Sequence, residues 1–184
     1  YGSDWRTSNN LGAALLMQNK VSEAEAAFKR AEKSANGAQP SVYNNLGIIE
    51  AKNGNRIAAM ELYMKAGSAP ETKYNMGILE VRDGKYADAV SNFGDNKGFN
   101  KALAELLNGN AGAVATTLDA SNEKDMAMAS YLKAVAAARN NNAAEVNTNL
   151  KAAIDKDGSL KAAAKDDAEF LKLRENADFK AMTN

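Results

Sequence analysis

The stretch NNLGIIEAKNGNRIAAMELY, residues Asn44 to Tyr63, decides how the rest of the chain is read. Its centre, Asn53-Gly54-Asn55, is made of residues that tolerate left-handed backbone angles and turn a chain sharply. Before that turn stands a small residue, Gly47, where two helix axes could approach closely without a Cβ in the way. After it, Ala59 and Tyr63 lie four residues apart, one helical turn along a single face. A small position on one helix and a small-plus-large pair on the next describe a helical hairpin.

Working outward, the same pattern aligns without gaps at Asn9 to Phe28, Tyr74 to Phe93, Phe99 to Leu118 and Tyr131 to Leu150, giving five copies with that at Asn44. The fourth position is Gly12, Gly47, Gly77, Ala102 and Ala134; the second-helix pairs end on Phe28, Tyr63, Phe93, Leu118 and Leu150. Each copy has an Asn, Gly or Asp turn at its middle: Asn19-Lys20, Asn53 to Asn55, Asp83 to Lys85, Asn108 to Asn110 and Asn140 to Asn142. Starts at 9, 44, 74, 99 and 131 leave the repeated unit constant and the connections variable, which is the signature of a repeat array. Pro40 and Pro70 fall where first helices should begin, a position that suits proline. Ser22 with Glu25 is expected to form a capping box on a second helix.

Composition agrees and narrows the function. Of 184 residues, 45% are hydrophobic and only 2 are Pro, which favours a helical protein with a sizeable core. Lys plus Arg and Asp plus Glu balance at 23 each, so no net field favours nucleic acid or an anionic membrane. There is no His and no Cys, which removes disulfides, thiolate nucleophiles, imidazole bases and the usual zinc and copper ligands. No stretch approaches the roughly 20 apolar residues of a membrane span. Neither phosphate-loop spacing nor a nucleophile–base pair is present, so no catalytic, cofactor or metal residue is assigned and the chain is expected not to be an enzyme. Asp166-Asp167-Glu169 and Glu123-Asp125 lack the ligand alternation of a calcium loop and read as solvated helix ends. The chain starts with Tyr1 rather than Met, as expected of a fragment or processed form.

These blocks resemble the tetratricopeptide repeat, whose unit is about 34 residues of paired helices. Leu11-Gly12, Ala24, Phe28 and Ala31 carry the likeness in the first copy; Tyr43, Leu46-Gly47, Ala59, Tyr63, Ala66 and Pro70 carry it in the second. The third keeps Gly77, Ala89 and Phe93, while the last two place Lys101 and Lys133 where the family has Leu. The resemblance implies an all-α, α-α superhelix, a right-handed solenoid of about five hairpins over residues 1–156. Residues 157–184 leave the register and are expected to be capping helices that shield the apolar end of the array. A tail lying in the protein's own groove is the alternative. More loosely, the chain is similar to tetratricopeptide regions of Bacteroidota cell-envelope proteins, which points to the periplasm or envelope; the cytoplasm is the alternative.

In that family the first helices line the concave side, so the resemblance assigns a partner-binding surface. Its candidate residues here are Asn9, Asn44, Ile48, Lys52, Tyr74, Ile78, Arg82, Phe99, Leu103, Tyr131 and Arg139. A groove of this kind suits a peptide or partner protein with apolar anchors and an acidic flank. For the aromatics Tyr74, Phe99 and Tyr131, packing between neighbouring hairpins is the first expectation and partner contact the second. Asn10, Asn45, Asn75 and Asn100 occupy a position that the family uses for hydrogen bonds between helices. The family's carboxylate clamp for chaperone C-terminal peptides is absent, because Asn9, Ala13, Glu71 and Asn75 stand at its other positions and only Asn45 agrees. The expected function is a non-catalytic interaction module or scaffold. An architectural spacer or oligomerisation segment of a larger envelope protein, and a small-ligand binder, are the alternatives.

Overall fold

A computed structural model describes residues 4–184. The fold is all-α: twelve α-helices and two short 3-10 segments among the described residues, packed largely as consecutive neighbouring pairs. Two compact units divide the chain, Tyr1–Lys85 and Tyr86–Asn184.

The first unit comprises α1 (Trp5–Met17), α2 (Val21–Ser34), α3 (Pro40–Lys52), α4 (Arg56–Ala66) and α5 (Pro70–Arg82). Helix α1 pairs with α2 and α3 with α4, while α5 packs on both α4 and α3. The second unit comprises α6 (Tyr86–Phe93), α7 (Phe99–Leu107), a 3-10 turn (Ala111–Ala113), α8 (Val114–Asp119), α9 (Ala127–Arg139) and α10 (Ala143–Lys156). It ends with α11 (Leu160–Asp166), a second 3-10 segment (Ala168–Leu173) and α12 (Ala177–Thr183). Here α6 pairs with α7, α7 with α8, and α9 with α10. The third sequence block therefore supplies α5 to one unit and α6 to the other.

The five turns at the middle of the sequence blocks are built alike. One residue takes a left-handed angle: Asn19 (φ 59°), Gly54 (85°), Gly84 (76°), Gly109 (86°) and Asn141 (56°). The next residue then donates its N–H five residues back, Lys20 to Leu15, Asn55 to Glu50, Lys85 to Glu80, Asn110 to Glu105 and Asn142 to Ala137, at 2.8–2.9 Å. That bond satisfies a carbonyl the helix end leaves open and reverses the chain within three residues. The tightness of this reversal explains why the expected capping box does not form. Lys20 becomes the N-cap of α2 with no side-chain cap bond, which puts Ser22 at the second helical position. Glu25 accepts from Lys29 at 2.6 Å instead. Pro40 and Pro70 do open α3 and α5.

The small positions let the hairpins close. A Cβ on Gly12 would lie 2.5 Å from Cε1 of Phe28, and one on Gly47 would lie 2.5 Å from Cε1 of Tyr63. Phe28 is fully buried and Tyr63 is 2% exposed, so each ring fills the space that its glycine leaves. Ala24, Ala59, Ala89, Val114 and Val146, each one turn before the large residue, are fully buried as well. At roughly 25 cal/mol per Å² of apolar surface removed from water, each such large side chain contributes about 1.5–3 kcal/mol.

Residues 157–184 complete the core of the second unit. Leu160, Ala164, Phe170 and Phe179 join the same buried cluster as Tyr131, Val135, Val146 and Leu150. Phe170 stands edge-on to Tyr131 with ring centroids 5.7 Å apart, and Phe179 lies 5.8 Å beyond it. No helix among the described residues is long and apolar enough to cross a membrane.

Candidate functional site

In the first unit, α1 touches α3 and α3 touches α5, so the first helices of successive hairpins form a row. Asparagines set the spacing of that row. Asn45 on α3 donates its amide N–H to Asn9 Oδ1 on α1 at 2.9 Å, and Asn75 on α5 donates to Asn44 Oδ1 on α3 at 3.0 Å. The second position of one block thus bonds the first position of the block before it, the helix-to-helix role expected for Asn45 and Asn75. Asn9, a candidate contact residue, is 9% exposed and serves this ladder. Asn10, at the same position on the first described helix, is exposed.

Between α3 and α5 opens a cleft of about 310 Å³. Ile48 and Ala51 come from α3, Asn75, Ile78 and Leu79 from α5, and Tyr63 reaches in from α4. Lys52 and Arg82, the last residues of α3 and α5, also line it. Both cations are exposed, and neither makes an ion pair or hydrogen bond among the described residues. Two acids close to them in the chain are engaged elsewhere: Asp83, beside Arg82, pairs with Arg56 at 2.7 Å, and Glu50, two residues before Lys52, accepts from Asn55 at 2.7 Å. Four of the sequence candidates, Ile48, Lys52, Ile78 and Arg82, are brought together here. Tyr74 lies half-buried on α5, outside the cleft lining.

Tyr63 is the residue that sequence reasoning assigned to packing alone. Its ring does pack, against Gly47. The side chain is 2% exposed, and its hydroxyl, which makes no hydrogen bond among the described residues, keeps a small opening to solvent at the cleft. Burial pushes the phenol up to about 12, with the Arg82 charge pulling weakly the other way. The signal was present in the sequence: of Phe28, Tyr63, Phe93, Leu118 and Leu150, one alone carries a polar atom.

The candidates of the second unit are differently placed. Phe99 and Leu103 on α7 are half-buried against the core, and the Phe99 N–H donates to Glu123 Oε2 at 2.6 Å. Tyr131 is 9% exposed; its hydroxyl donates to Asp167 Oδ2 at 2.7 Å, and burial together with that bond raises its pKa. Arg139 donates through Nε to Glu169 Oε2 at 3.0 Å and through Nη1 to the Leu106 carbonyl at 2.9 Å. Lys172 adds a bond to Asn141 at 3.0 Å. The C-terminal segment therefore occupies Tyr131 and Arg139. Asp167 and Glu169, read from sequence as solvated helix ends, are partners of these two side chains. Neither pairing could be foreseen from residue order, because partners 30 and 36 residues apart meet only once the chain folds back.

No group of three or more metal-capable side chains converges among the described residues. What the first unit offers is a mixed surface: isoleucine walls, a phenol and two cations. Such a surface is complementary in chemistry to a group that brings apolar and anionic parts together. The sequence matches no protein-family model and no curated protein, so the functional reading rests on these residues themselves.

Proposed function

We propose that this chain is a non-catalytic interaction module of the tetratricopeptide type, which binds an extended peptide segment of a partner protein along α1, α3 and α5. The observation that carries the reading is the α3/α5 cleft, whose apolar walls adjoin two cations with no acid of their own. An apolar cleft alone would fill with any greasy side chain, and cations alone are ordinary on a surface. Their juxtaposition on a rigid helical row gives both anchor and orientation. Asn45 and Asn75 support the reading indirectly, since their bonds hold the row in register and limit what a ligand must order on binding. The Tyr131 and Arg139 side chains already have internal partners, so the binding surface is assigned to the first unit.

The test is selection of random linear peptides on the immobilised chain, followed by amide hydrogen exchange of the best complex. Protection is expected on α3 and α5, and Ile48→Asp combined with Ile78→Asp should abolish binding while circular dichroism stays helical. Recovery of no peptide, or protection confined to the second unit, overturns the proposal. Equal binding by the double variant would overturn it too.

A further inference from the structure

The five large residues that end the second helices share one packing task, and an unsubstituted ring or an aliphatic chain performs it: Phe28, Phe93, Leu118 and Leu150 are all fully buried. The hydroxyl of Tyr63 is therefore surplus to packing. It lies at the floor of the cleft, on a side chain that is 2% exposed: it makes no hydrogen bond among the described residues, and its oxygen still touches solvent there, since the fully buried side-chain atom without a partner is Asn147 Oδ1. A hydroxyl fixed at the floor of a cleft bonds water until an acceptor on a ligand displaces it, and it then gives that acceptor a directed donor. With its proton held to about pH 12, the phenol is a donor throughout the neutral range.

Counting the other polar groups around it gives the chemistry of what would complete it. Arg82 and Lys52 bring only donors. Asn75 spends an N–H on Asn44, leaving its Oδ1 to receive one. The cleft thus asks for a negatively charged acceptor and, beside it, a single N–H, between walls contributed by Ile48 and Ile78. A glutamate residue within a peptide supplies all of these: a carboxylate, two methylenes and a backbone amide. Basic residues at a helix C-terminus also answer the helix dipole, but that role requires neither a cleft nor a phenol.

We propose, resting on the peptide-binding reading above, that the α3/α5 cleft is the subsite for a glutamate side chain of the partner segment. Tyr63 Oη and the Arg82 guanidinium donate to the carboxylate, Lys52 faces it across the rim, and the methylenes lie between Ile48 and Ile78. This is a side-chain subsite at the C-terminal ends of the helices, separate from any grip on a peptide's terminal carboxylate.

The experiment uses the full chain and synthetic peptides taken from the selection, with dissociation constants from fluorescence anisotropy. Selected peptides should share a glutamate, and replacing it by glutamine should weaken binding about tenfold, the worth of a charge-assisted hydrogen bond. Tyr63→Phe keeps the ring over Gly47 and so keeps the fold. It should weaken the glutamate peptide by about three- to tenfold and leave the glutamine peptide unchanged. Arg82→Gln should act in the same direction. If peptides bind and are lost with Ile48→Asp and Ile78→Asp, yet are indifferent to Tyr63→Phe and to glutamate replacement, the glutamate subsite is overturned and the module reading stands. If no peptide binds, both are overturned.

Discussion

Replacing Gly47 by alanine tests the contact on which the hairpin of α3 and α4 is built. The added Cβ would meet Tyr63 Cε1 and Cδ1 at 2.5 and 2.6 Å, against about 3.5–4.0 Å for comfortable carbon contact. The ring or the helix must therefore yield by about 1 Å. Tyr63 is 2% exposed, so it cannot swing aside into water. Overpacking of this kind costs about 1–3 kcal/mol, and alanine returns up to about 1 kcal/mol of helix propensity relative to glycine. The net expectation is a loss of about 1–2 kcal/mol, or roughly 5–15 °C in Tm for a unit of this size. Thermal and urea denaturation followed by circular dichroism measure it. Two further variants separate the causes. Gly47→Ala with Tyr63→Leu should recover part of the loss, because a flexible aliphatic chain can move where a ring cannot. Gly54→Ala, where φ is 85° and nothing lies within 4 Å of the new Cβ, should lose about 1 kcal/mol through backbone strain alone. A Gly47→Ala protein as stable as the parent, or more so, would refute the close-approach argument and with it the reason for a small residue at the fourth position.

Three other outcomes are expected. Asn45→Ala and Asn75→Ala should each cost about 1 kcal/mol in urea unfolding, while Asn10→Ala, exposed and outside the ladder, should cost almost nothing. Phe170→Ala empties the space between Tyr131 and Phe179 and should cost about 3–5 kcal/mol, with faster amide exchange across residues 160–183; unchanged exchange there would show that this ring does not hold the C-terminal segment. Tyr63 ionises at about 12 against an ordinary 10.0, so its folded state favours the protonated phenol. The stability linked to it is complete below about pH 10 and lost as pH rises through about 12. Tyr131, raised by burial and by Asp167, acts in the same direction, so Tyr63→Phe should remove part of the alkaline loss seen in denaturation midpoints, and an identical alkaline profile would contradict the assignment.

The periodic features were readable because their causes are local. A left-handed residue followed by a five-residue back-bond depends on Asn or Gly at one place, and Asn19, Gly54, Gly84, Gly109 and Asn141 all occupy it. Prolines open α3 and α5 because a first helical turn has no use for their missing N–H. The capping box was misread for a reason equally local: the helix begins two residues before the motif needs it to, with Lys20 and not Ser22 at the N-cap, a detail of backbone geometry that residue types do not specify. The lining of the α3/α5 cleft was legible in part. The resemblance to the tetratricopeptide repeat pointed to the first helices, and helical spacing then grouped Ile48, Lys52, Ile78 and Arg82 along them, since residues on one face of a helix stay on one face. Tyr63 could not be picked out in this way, because it reaches the cleft from a second helix.

Taken alone, the amino-acid sequence determined that the chain is a series of helical hairpins, where each one turns, and which small and large residues close it. These follow from backbone preference and hydrophobic period within twenty residues or so. Only the tertiary structure decided which polar groups are already satisfied. It joined Asn45 to Asn9 and Asn75 to Asn44, gave Tyr131 and Arg139 partners on the C-terminal segment, and left Tyr63, Lys52 and Arg82 facing one cleft. A hydrogen bond between distant residues depends on which helices become neighbours, and that is set by the packing of the whole unit rather than by any one stretch of it.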